Sequence, residues 1–99
     1  MAANFRIRKT RRRNRLEVAL SGDFDGSSAA HLANVLERNR QRYGVIHIHT
    51  DGIGQVTPFG CQVFRARMAG QPWAGRLCRF AGKWAAALEE QLPATRRAA

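Results

Sequence analysis

Ninety-nine residues make one domain with room for a single hydrophobic core. Lys and Arg number 17 against 7 Asp and Glu, a net charge of +10, and almost all the cations are Arg; such a surface attracts anions, whether nucleic acid, acidic lipid headgroups or an acidic protein. No apolar run approaches the roughly twenty residues that span a bilayer, no apolar signal-peptide core opens the chain, and the expected compartment is the cytoplasm, without membrane insertion.

The first segment, NFRIRK, alternates Phe5 and Ile7 with Asn4, Arg6 and Arg8, the period-two pattern of a half-buried strand. RRRN interrupts it. RLEVALS resumes the alternation with Leu16, Val18 and Leu20 on one face and Glu17, Ala19 and Ser21 on the other, so the pair reads as an antiparallel hairpin. After GDFDG, the run SSAAHLANVLERNRQ puts Leu32, Val35 and Leu36 at helical spacing, with Asp25, Ser27 or Ser28 available as N-cap and Gly44 as the stop beyond its polar end. VIHIHT is the third strand, Ile46 and Ile48 facing one way and Val45, His47 and His49 the other. In GQVTPFGCQVF, Pro58 suits the first turn of a helix whose apolar side is Phe59, Val63, Phe64 and Met68. GQPWAG reads as a loop, RLCRF as a short fourth strand, and KWAAALEEQL as a final helix carrying Trp84, Leu88 and Leu92. PATRRAA, residues 93–99, reads as a frayed basic tail.

The order is ββαβαβα. Strands separated by helices pair in parallel through right-handed crossovers, and the first hairpin strand runs antiparallel to its neighbour. Parallel strands sandwiched between two helical layers read as continuous apolar runs, whereas all four strands here alternate. The expected fold is therefore an α/β domain spanning 1–99, with a single four-stranded mixed sheet and helices mainly on one face. The other face carries Arg6, Arg8, Glu17, His47, His49 and Arg79.

Two runs, in order and at the right spacing, carry a family resemblance over about residues 4 to 92. SGDFDGSSAAHLANVL resembles the segment of STAS domains, the sulfate transporter and anti-sigma factor antagonist family, in which Gly-Glu-Leu-Asp precedes a Ser or Thr opening the first helix. VIHIHTDGIGQVTPFGCQVF resembles their apolar strand followed by Asp-Ser-Ser-Gly-Leu at the start of the second helix. The resemblance implies a non-enzymatic bacterial regulatory module that binds a protein, with Asp23, Asp25, Thr57, Pro58, Phe59 and Gly60 at the contact. The implied partner is a kinase-like anti-sigma factor, a subunit of a larger complex, or a second copy of the chain.

In regulatory members, phosphorylation of the second Ser of that turn breaks the complex by placing negative charge in an interface. Aligning Gly60 with the family Gly puts Thr57 at the Asp, Pro58 at the first Ser and Phe59, which has no hydroxyl, at the phospho-acceptor. That switch is absent. Phe59 then supplies a constant apolar contact, or else points inward as core; Thr57 is expected to cap the helix, and Asp25 to cap the one before it. Family members also continue into a further strand and helix, so a chain ending where this one does is expected to leave an edge for a partner or a homodimer.

Arg6, Arg8, Arg11, Arg12, Arg13 and Arg15 crowd the hairpin. A charged hairpin discourages strand addition; alternatively these forks bind phosphate, which makes nucleic-acid binding through the hairpin and the open sheet face the rival function. No ribonucleoprotein aromatic pair, GXXG or zinc finger supports it. His47 and His49 share a strand face without an evident third metal ligand, and His31 reads as structural or exposed. Cys61 and Cys78, without CxxC spacing, read as reduced buried thiols. GDFDG and DGIG lack the Gly-Lys-Ser/Thr ending of a phosphate loop. No catalytic residue, cofactor or metal is assigned.

Overall fold

A computed structural model of the chain describes residues 4–93, so the expected basic tail lies, beyond Pro93, outside the described residues. β1 (Arg6–Arg12) and β2 (Arg15–Phe24) form the expected antiparallel hairpin. β3 (Val45–Val56) lies parallel to β2, and β4 (Cys78–Ala81) parallel to β3, in one mixed sheet of order β1-β2-β3-β4. α1 (Gly26–Asn39) joins β2 to β3, α2 (Pro58–Met68) and α3 (Trp73–Leu77) join β3 to β4, and α4 (Ala85–Glu89) follows β4. The α/β layout is the expected one, with a fourth helix added.

Alternation dictates where the helices go. Leu16, Val18 and Leu20 of β2 and Ile46, Ile48 and Ile53 of β3 are buried in one cluster with Leu32, Ala33 and Leu36 of α1 and Phe64 and Met68 of α2. Burying each large apolar side chain is worth about 1.5–3 kcal/mol, and a one-residue slip of either strand would turn its whole set outward. The intervening Arg15, Ala19, His49 and Arg79 are exposed. Helices therefore cover one face of the sheet and leave the other open.

Several boundaries differ from the sequence reading, each for a packing reason. β2 continues past Ser21 to Phe24 and β3 past Thr50 to Val56, because Phe24 and Ile53 are buried and resume the apolar face. The register between these strands shifts at Gly22, whose φ of 91° only glycine adopts without strain. Gly44 does not stop α1, which ends at Asn39; its N–H donates to the backbone and side-chain oxygens of Asn14 at 2.8 and 2.9 Å, tying the hairpin tip to the start of β3. GQPWAG is not all loop: Ala74 and Leu77, one turn apart, are both buried, and the helix they form delays β4 to Cys78. The last helix is shorter than its apolar spacing implied. Trp84 precedes it, donating its backbone N–H to Thr50 Oγ1 (3.0 Å) and its indole N–H to the Ile53 carbonyl (2.9 Å), and the helix ends at Glu89 before Leu92.

Candidate functional site

β2 and β3 run parallel, so the helices that follow them both start at the same end of the sheet. That topology brings together residues more than thirty positions apart. The Thr57 N–H donates to the Phe24 carbonyl at 3.0 Å, joining the start of α2 to the end of β2. Gly60 completes the join by having no side chain: a Cβ there would stand 2.5 Å from the Phe24 oxygen and 3.1 Å from Asp25 Cα.

Both helix starts are capped as the sequence reading expected. Asp25 caps α1, its Oδ1 accepting from the Ser28 N–H at 3.0 Å and lying 2.9 Å from Ser28 Oγ. The Ser28 N–H is the main influence holding the Asp25 carboxyl below its ordinary value. Thr57 caps α2, its Oγ1 accepting from the Gly60 N–H at 2.9 Å while lying 3.3 Å from the Phe24 carbonyl it faces. The Thr57 hydroxyl is thus committed on both sides. Asp23 belongs to β2; its carbonyl receives Ser28 Oγ at 2.8 Å and its N–H donates to Asn4 Oδ1 at 3.3 Å.

Phe59 does not share the core with Phe64 and Met68. It is 63% exposed, the exposed large hydrophobic among the described residues. Its ring lies beside the first turn of α1 over Gly26, where a Cβ would stand 2.7 Å from the ring edge. The core alternative for Phe59 is therefore excluded, and Asp25, Gly26, Thr57, Pro58 and Phe59 form one surface built from two helix starts. Sequence reasoning missed Gly26 and the Phe24 carbonyl. A glycine at the start of a helix was the available signal for Gly26; the carbonyl had none.

The open sheet face holds a second group. Glu17 Oε1 lies 2.6 Å from His49 Nε2, and its other oxygen lies 2.8 Å from Arg15 Nε and 3.5 Å from His47 Nδ1. The His49 hydrogen bond is the strongest influence on the Glu17 carboxyl and draws it below its ordinary value; partial burial opposes this, and the charges of His47 and Arg15 reinforce it. Parallel β2–β3 register, with Glu17 beside His47, makes the cluster. Among the described residues no three His, Cys, Asp or Glu side chains are placed to hold a metal ion. His31 is exposed and edge-on to Phe5, ring centroids 6.1 Å apart. Both cysteines are free. Burial pushes the Cys78 thiol up to about 12, and burial, then the nearby Glu90, raises that of Cys61.

Arg6, Arg8, Arg12 and Arg15 stand on the open face, Arg11 on the opposite side of β1, and Arg13 at the turn; all six are exposed. Among the described residues no helix is long and apolar enough to cross a membrane. No family model matches the chain, and no curated protein matches it.

Proposed function

We propose that this chain is a non-enzymatic protein-interaction module of the STAS type, working in the bacterial cytoplasm and binding a protein partner through the start of α2 without a phosphorylation switch. The observation that carries the reading is Phe59, a large apolar side chain held 63% exposed beside the first turn of α1. An exposed aromatic on a rigid, doubly capped platform is the kind of anchor that dominates interface energetics. Two further features support it. The Thr57 hydroxyl, the nearest one in the turn, is engaged in capping, so phosphorylating it would remove the cap. Raised thiol pKa values at Cys61 and Cys78 disfavour the thiolate a nucleophilic mechanism needs.

The partner is a kinase-like anti-sigma factor, a subunit of a larger complex, or a second copy of this chain. Titration calorimetry against a kinase-like anti-sigma factor, and sedimentation of the chain alone, test the reading with Phe59→Ser and Phe59→Asp. One of these measurements is expected to show a complex that both substitutions weaken by at least about tenfold, 1.4 kcal/mol. Thermal midpoints should stay close to wild type, because Phe59 contributes little buried area and Asp at the second helical position suits the helix dipole. Complexes of undiminished affinity in both variants would contradict the proposal.

A further inference from the structure

The Arg-rich face of the sheet has no place in that reading. Arg6, Arg8 and Arg12 of β1 share the open face with Arg15 of β2. Arg6 and Arg8, alternate residues of β1, stand about 6.8 Å apart, twice the rise per residue, a spacing close to that of successive phosphates along a nucleic-acid strand; Thr10 separates Arg8 from Arg12, about two such steps further on. Arg6, Arg8, Arg11, Arg12 and Arg13 make no ion pair or side-chain hydrogen bond among the described residues. Two shallow depressions lie along this rim: one of about 680 Å³ lined by Arg6, Arg8, Ser21 and His49, and one of about 620 Å³ lined by Arg11, Arg12, Arg13 and Arg15.

Two of the carboxylates nearest this rim, Glu17 and Asp51, the latter also lining the first depression, have partners. Glu17 faces Arg15, His47 and His49, and Asp51 accepts the Lys83 N–H at 2.7 Å. The hairpin turn adds an independent sign. Arg13 has φ 35°, in the left-handed region that glycine occupies without steric cost, so an arginine stands at the tip where the backbone favours a residue with no side chain.

We infer that this face binds a single strand of nucleic acid through its phosphates, without reading sequence. Phosphates lie along Arg6, Arg8, Arg12 and Arg13, and bases turn toward His47, His49 and Arg79, whose planar groups offer stacking surfaces in place of the absent aromatics. A duplex fits less well. The hairpin tip is tied to β3 through Asn14 and Gly44, so no two-stranded ribbon projects. The four strands together span about 14 Å before side chains are added, wider than the ~12 Å major groove.

Fluorescence anisotropy of the full chain with a labelled oligothymidylate of about 15 nucleotides, between about 50 and 200 mM NaCl, tests this. Four phosphate contacts at about 0.7 counterion each give an expected log-log slope near −2.8. Arg13→Gly and Arg12→Gln should each flatten the slope by about 0.7 and weaken binding about fivefold near 0.1 M salt, while Arg38→Gln, on α1, changes neither. Arg13→Gly should also leave the thermal midpoint unchanged or higher, which separates lost binding from lost fold. Phe59→Asp should bind like wild type, so this result stands or falls apart from the protein-partner reading. No anisotropy change at low salt, an equal loss in Arg38→Gln, or tighter binding of a duplex or of polyglutamate would overturn the inference.

Discussion

Asp25 and Thr57 hold the two helix starts on which the candidate site rests, and the two caps differ in how they depend on pH. The Asp25 carboxylate accepts the Ser28 N–H, which lowers its folded-state pKa below the unfolded one. A depressed carboxyl contributes stability that is present above its unfolded pKa and lost as pH falls through the folded value. Thermal midpoints followed from pH 7 down should therefore drop below about pH 4, and Asp25→Asn, which still caps, should remove part of that drop. Thr57 does not titrate. Thr57→Ala is expected to cost about 1 kcal/mol at every pH, lowering the midpoint by roughly 4–8 °C, and Thr57→Ser to restore most of it. A pH-dependent Thr57→Ala effect, or an Asp25→Asn profile parallel to wild type, would show that these side chains do not cap as described.

At the scale of elements, the junction of β2 with α2 is the tightest contact at the site. Gly60→Ala places a Cβ against the Phe24 carbonyl and the Asp25 backbone; neither is a flexible side chain that can give way. Calorimetric unfolding should report a loss of about 1–3 kcal/mol, and a midpoint equal to wild type would mean that α2 does not pack where it is described. Legibility in the sequence follows the same line between local and distant causes. The hairpin, α1, the start of α2 and the one-sided helix layer were readable because period and capping chemistry are local. The extensions to Phe24 and Val56 were not, since glycines interrupt the alternation and burial of Phe24 and Ile53 by other elements overrides them. α3 hid in a Pro- and Gly-containing run, and α4 lost its ends because Trp84 is held by Thr50 and Ile53. The caps at the candidate site were legible. The exposure of Phe59 was not, because Phe59, one turn before Val63, continues the apolar stripe of α2.

The molecule as a whole divides its surfaces by chemistry. One face of the sheet is covered by helices, the other is open and edged with arginine, and the two helix starts with Phe59 lie at the end where the parallel strands finish. On the two proposals, the Phe59 surface holds a protein partner, and the arginine-edged open face of this chain of net charge +10 holds a polyanion. The claim on which the functional account rests is that Phe59 faces a protein in the cell. Benzoylphenylalanine placed at Phe59, with the same photoreactive group at the exposed open-face residue Thr10 as control, measures this directly by ultraviolet cross-linking in the source cells. The account predicts a discrete protein adduct from position 59 that position 10 does not give; no adduct from 59, or the same adducts from both positions, would contradict it.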